Sequence, residues 1–251
     1  MTFGYTDALN QPTVIRLPGT NSDGSPKEVA ITDWFWRTLR STVDILSGAT
    51  DPQFLVFTYV EGDTVSHSNN IAAAQQRSAT LLDTNSEGAA EMPAEQEYLC
   101  YALSVDIRQF LFDDGEDGDA AYTVTAAALP IPNAGNVAIC QSRLITELEV
   151  TQKATFQDQP GWFASGADPF VTGGTTAAVR TYATNGIASK DSIDRAPLAI
   201  HIGGTEKFQG IFHNPAQLAA LSFVGEDGVV STTVSMRLCL RMVGLQKRPT
   251  A

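Results

Sequence analysis

The chain has 251 residues, of which 43% are hydrophobic and 18% charged, and it carries a formal net charge of −12. That length accommodates one large all-β domain, or a core domain with an arm, and the apolar content is too high for a disordered chain. The acidic balance, with no basic run, argues against strong direct binding to nucleic acid or an anionic membrane, because counterion release needs clustered Lys and Arg.

Residues 1–30 read as irregular, with a short strand at Val14 to Leu17 stopped by Pro18 and Gly19. Thr32 or Asp33 then has the character of a helix N-cap. The apolar residues Trp36, Leu39, Val43 and Leu46 follow at helical spacing up to Gly48, which predicts a helix near 32–47. Trp34, Phe35 and Trp36 place a large apolar surface in its first turn, suited either to core packing or to contact with a neighbouring subunit. A strand is expected over 54–60. Residues 64–95 are rich in Ser, Asn, Ala and Gln, and 71–82 fits a helix or an extended segment equally well. A boundary near residue 90 divides an N-terminal extension (1–90) from a continuous β domain (91–251).

Within that domain Leu99, Tyr101, Leu103, Val105 and Ile107 alternate with smaller or polar residues and predict a long strand with one apolar face. An acidic loop at 113–119 and a strand at 122–129 follow, then an alternating run through Leu144, Thr146, Leu148 and Val150 toward Phe156. A Gly- and Thr-rich loop spans 157–195. Leu198, Ile200 and Ile202 predict a strand turned by Gly203 and Gly204 onto a partner at 208–212. Another strand is expected at 218–224. The last is the clearest. Val234, Met236, Leu238, Leu240 and Met242 share one parity and Ser235, Arg237, Cys239 and Arg241 the other, predicting one buried and one wet face. About eight antiparallel strands in this order fit an all-β sandwich of the jelly-roll kind.

Residues that carry chemistry are sparse. Cys100, Cys140 and Cys239 are odd in number and lack zinc spacing, which suits small buried hydrophobes. His67, His201 and His213 form no H-x-H or H-E-x-x-H motif; only His201 and His213, on adjacent strands, suggest a two-histidine site. The run from Asp113 to Asp119 lacks the twelfth-position carboxylate of an EF-hand and reads as a solvated hairpin tip. Glu147 and Glu149 share a strand face, but no facing carboxylate across a cleft is implied. No nucleophile motif or phosphate-binding glycine loop is present. No catalytic residue, metal or cofactor is expected. Without a basic and apolar leader the chain is expected to fold in a cytosol, and no stretch approaches the roughly 20 apolar residues of a membrane span.

Residues 92–246 resemble the jelly-roll virion proteins of small icosahedral bacteriophages. The likeness rests on Met92–Pro93–Ala94 leading into Glu97, Tyr98 and Leu99, then on the strand pair from Leu144 to Phe156 ahead of Pro160, Gly161, Trp162 and Phe163. It continues through Ala196–Pro197–Leu198–Ala199–Ile200, a Gly-rich turn and Phe208, and ends on the closing strand with Ser235–Met236–Arg237–Leu238. The resemblance implies a capsid protein, not an enzyme, that self-assembles into an icosahedral shell in the host cytoplasm. Its partners would be copies of itself and other virion proteins. The alternative is a spike, receptor-binding or lectin-like module using the 157–195 loop. A basic genome-binding arm is missing, so another protein, a membrane or a scaffold would separate this shell from the genome. Candidate subunit contacts are Trp34, Phe35, Trp36, Trp162, Phe163, Arg237 and Arg241, and charge reversal at both arginines is expected to spare the fold and weaken assembly.

Overall fold

The computed structural model describes residues 14–30, 34–111, 134–158, 170–172, 182–184, 194–215, 220–224, 230, 232 and 234–247. Within them the chain is all-β with one short helix. Two sheets pack face to face, and the main hydrophobic core lies between them.

The first sheet contains β3 (Trp34–Leu46), β5 (Ser66–His67), β6 (Tyr98–Leu111), β11 (Asp194–Ile202) and β13 (Val234–Lys247), in the order β11-β6-β13-β3-β5. The second contains β4 (Gln53–Val56), β7 (Ile145–Val150), β8 (Lys153–Asp158) and β12 (Phe208–His213), in the order β4-β12-β7-β8. A hairpin of β1 (Val14–Thr20) and β2 (Pro26–Ala30) packs beside β11, and β9 (Phe170–Thr172) pairs with β10 (Tyr182–Thr184). Helix α1 (Ala134–Arg143) was not legible in the sequence; its Val137 and Cys140, with Leu144 just beyond, fill one end of the core. Asn136 fixes it there, exchanging side-chain hydrogen bonds of 2.8 and 2.9 Å with the backbone of Val224.

The helix expected near 32–47 is β3, a strand. Leu39, Val43 and Ile45 enter the core on one parity while Arg40, Thr42 and Asp44 take the other, a period-2 pattern masked in the sequence by the buried Ser41. The 36, 39, 43, 46 spacing was coincidence: Trp36 is exposed and Leu46 packs apart with Ile71. Trp, Phe, Thr, Val and Ile favour a pleated surface. The long partner β13 decides the matter, pairing with β3 from Ser235↔Leu46 to Lys247↔Trp34. β3 and β4, both from before residue 90, therefore belong to the same two sheets as the later strands.

Other expectations shift for local reasons. β4 stops at Val56 because Phe57 adopts a left-handed φ of 66°. Residues 71–82 form neither a longer helix nor a strand; they hold a 3₁₀ turn at Ala73–Gln75 and an isolated bridge from Ser78 to Thr64. Leu198–Ile202 and Phe208–Phe212 do not pair with each other: β11 bonds to β6 and β12 to β4 and β7, so the chain crosses between sheets at Gly203 and Gly204. A Cβ at Gly204 would overlap the Ala94 carbonyl, so that crossing is tight against residues 94–96. Of the strand expected at 218–224, residues 220–224 are described; there Leu221 makes an isolated bridge to Ala49 and Val224 one to Val230. The hairpin from Leu144 toward Phe156 forms as β7 and β8, with Thr146, Leu148 and Val150 buried. The acidic loop and the strand at 122–129 lie outside the described residues.

A bulge re-phases β6. Val243 pairs with Ala102 but Gly244 with Cys100, leaving Tyr101 as the extra residue. Tyr98 and Cys100 therefore join Leu103, Val105 and Ile107 in the core, while Leu99 and Tyr101 turn to the opposite face with Trp34 and Leu245. Opposite the bulge, a Cβ on Gly244 would collide with the Leu99 carbonyl and press on the Tyr98 ring. Gly244→Ala is expected to destabilise the protein by about 2–3 kcal/mol, read as a lower urea midpoint.

Candidate functional site

The outer face of the five-stranded sheet carries Trp34, Trp36, Arg237 and Arg241 of the predicted contact residues, and its two ends differ. At the end near Asp44, the face expected to be wet is occupied by an ionic network. Arg237 donates from Nε to Asp44 Oδ1 at 2.7 Å and from Nη2 to Asp44 Oδ2 at 3.0 Å, and its Nη1 lies 3.4 Å from Asp83 Oδ1. Arg77 grips Asp83 with two bonds of 2.5 and 2.7 Å and reaches Asp44 at 3.5 Å. Only 1% of the Asp83 side chain and 4% of that of Asp44 meet solvent. Burial alone would raise the Asp83 pKa, but hydrogen bonds from Arg77 and Thr80 and the charges of Arg237 and Arg77 bring it down to about 2.

The sign of that shift sets a pH window. Asp83 contributes stability that is complete above its unfolded value of 3.8 and is lost as pH falls through about 2. The full contribution is about 2 kcal/mol. Acid unfolding followed by circular dichroism is expected to show less stability lost over that window in Asp83→Asn, which starts lower at neutral pH.

The same stretch, residues 59–85, closes the open edge of β3. The Asn85 side chain accepts from Arg40 N and donates to Thr38 O, both at 2.7 Å, and Asn85 N donates to Arg40 O. Tyr59 Oη accepts from Thr42 N, Ser68 N donates to Asp44 O, and Ser68 Oγ accepts from Leu46 N. An edge strand so covered cannot recruit a foreign strand.

At the other end the face is apolar. Trp34, Leu99 and Leu245 are buried together, with Tyr101 and Ala199 packed against them. Trp36 stands outside this cluster, 63% exposed, its ring tilted at 52° to Tyr101 with centroids 6.2 Å apart. Leu81 and Leu82, 57% and 80% exposed, lie on the same side of the sheet, because Arg40 donates to the Leu81 carbonyl. Three of the four exposed large hydrophobic residues among those described thus flank one edge of one sheet.

The predicted contact residues separate accordingly. Trp36 is available at the surface, Phe35 is half-buried, and Trp34 is a buried packing residue. Arg241 is one-third exposed and bonds Asp106 at 2.8 Å. Arg237 belongs to the internal network and is not a free contact residue. Trp162 and Phe163 lie outside the described residues. Sequence reasoning missed Leu81 and Leu82, whose signal was a leucine pair in an otherwise polar stretch. It also missed Asp44, a carboxylate inside the run Val43–Leu46 that had to find a cation.

The remaining reactive groups are held in place. His201 and His213 fall in different sheets, each bonded to its own glutamate: Glu97 at 3.0 Å and Glu147 at 2.6 Å. The two-histidine site does not form. Burial pushes the thiols of Cys100 and Cys140 up to about 12 and raises that of Cys239, which keeps all three protonated at neutral pH. No group of metal-ligating side chains occurs among the described residues, and no helix there is long and apolar enough to cross a membrane. No family model matches the chain, and neither does any curated protein or solved structure.

Proposed function

We propose that the protein is a virion structural protein, a jelly-roll capsid subunit of a bacteriophage that associates with copies of itself through the Trp36 face. The observation that supports this reading is the nested pairing of eight of the nine strands that the two sheets hold among the described residues, all but the two-residue β5. In chain order they are β3, β4, β6, β7, β8, β11, β12 and β13. The first pairs with the last, the second with the seventh, the third with the sixth and the fourth with the fifth. Nested antiparallel pairing of this kind is what a jelly roll requires, an architecture used by capsid, lectin and cupin domains.

Function has to be argued from the site, not the fold. A cupin reading needs converging histidines, and His201 and His213 sit in separate sheets. A tiling subunit instead needs covered edges and an exposed apolar face, since an uncovered edge would aggregate without defined symmetry. The sealed β3 edge beside exposed Trp36, Leu81 and Leu82 supplies both. The acidic chain would then meet its genome through another layer or another protein.

Light scattering and electron microscopy of the purified protein, and its copy number in particles, test this. Capsomers or shells, with the chain abundant in virions, are expected. A monomer or trimer at every concentration, scarce in particles, would overturn the capsid reading.

A further inference from the structure

Five non-glycine residues among those described have left-handed backbones: Phe57, Ala90, Thr151, Gln152 and Thr205, with φ between 52° and 66°. Such conformations are unfavourable for any side chain and most of all for a β-branched one. All five meet at the start of β12. Phe57 packs its ring 5.5 Å from that of Phe208, and its carbonyl accepts from Ala90 N; the Ala90 carbonyl accepts from Phe208 N. Thr151 N donates to Lys207 O at 2.8 Å, and Thr205 N to Met92 O at 2.9 Å. Thr151 and Gln152 are the two central residues of the β7–β8 turn, where positive φ at both positions normally selects Asn-Gly.

The strained junction surrounds a half-open pocket of about 150 Å³ lined by Ala90, Glu149, Gln152, Lys207, Phe208 and Gln209. It opens on the four-stranded sheet, opposite the Trp36 face. Gln209 Nε2 donates to Glu149 Oε2 at 2.6 Å, which ties together two of the side chains that line the pocket.

We propose that this pocket is a binding subsite for a single saccharide ring. It is smaller than the roughly 300 Å³ lower bound of drug-sized sites, so it holds one ring-sized group. Its charges, Lys207 and Glu149, balance, which disfavours a simple ion. Its lining is largely apolar with polar tips at the rim, so a wholly polar or a wholly apolar group leaves one part unmatched, whereas a sugar ring offers C–H faces and hydroxyls together. An ammonium that only donates, a carboxylate that only accepts and two amides that do both match hydroxyls, each of them donor and acceptor. The Gln209–Glu149 hydrogen bond fixes two of the polar tips before binding, which lowers the ordering a ligand has to impose.

Saturation-transfer NMR of the full chain with free neutral monosaccharides, and with glycine and glutamate as zwitterionic controls, tests the proposal. At least one monosaccharide is expected to bind with a dissociation constant of about 1 mM. Gln209→Ala is expected to weaken it about tenfold at an unchanged melting temperature. Gln152→Gly, in an exposed turn that tolerates it, is expected to raise the melting temperature by about 2–4 °C while weakening the sugar by a similar factor. Absence of saturation by any sugar, binding of the amino acids in their place, or parental affinity in both variants would overturn it. Trp36→Asp leaves this binding unchanged, so failure of the assembly reading is separately visible.

Discussion

Arg237→Glu is expected to lower stability by about 3–5 kcal/mol, a fall of about 10 °C in melting temperature. Arg237 closes the network that neutralises Asp44 and Asp83, both almost fully buried. Removing one partner of a buried pair leaves an uncompensated charge, and a glutamate adds a third carboxylate to the two already there. Arg241→Glu is expected to cost only about 1 kcal/mol, because a third of its side chain is in solvent and it meets one carboxylate, Asp106. Urea unfolding of the two single variants provides the comparison. Pairing Arg237→Gln with Asp44→Asn should recover part of the loss, since the coupled charges then leave together. Equal losses for Arg237→Glu and Arg241→Glu would show that the network does not hold residues 77–83 to the sheet. The ion pairs of Arg237 with Asp44 and Asp83 thus argue against reversal without harm to the fold at that position, while leaving it in place for Arg241.

Trp36→Asp is expected to leave the melting temperature within about 2 °C of the parent while abolishing self-association. An exposed ring adds little to the monomer, and surface substitutions of this kind usually change stability by less than about 0.5 kcal/mol. At an interface, a buried tryptophan is worth about 2 kcal/mol or more, roughly 30-fold in affinity per contact. A subunit that repeats the contact around a shell multiplies that loss. Leu82→Asp, 80% exposed, is expected to act in the same direction. Sedimentation velocity and electron microscopy provide the readout, and normal particles from both variants would remove the Trp36 face from the assembly.

The legible parts of this fold are those where sequence period and tertiary environment agree. β13 and β7 could be read directly because Val234, Met236, Leu238, Leu240 and Met242 in the one, and Thr146, Leu148 and Val150 in the other, keep a strict period of two with only Thr146 polar. β3 could not, because Ser41 sits among its buried residues and Trp36 and Leu46 supply a false helical spacing. The contact candidates divided for a related reason. A sequence places Arg237 and Arg241 on the same strand face as equals. Only the approach of Arg77 and Asp83, more than 150 residues away in the chain, turns the first into a structural ion pair.

The alternation of side chains along single strands, and with it the all-β class, followed from the amino-acid order, because the pleat has a fixed period of two residues. The placement of strands was decided by tertiary structure. Whether β11 folds back on β12 or crosses to β6 depends on the space available at Gly204 and on which edges remain unpaired. Which side of β6 is buried depends on a single bulged residue, Tyr101, selected by its pairing with β13. Those are long-range contacts, and their energies appear only once distant segments meet.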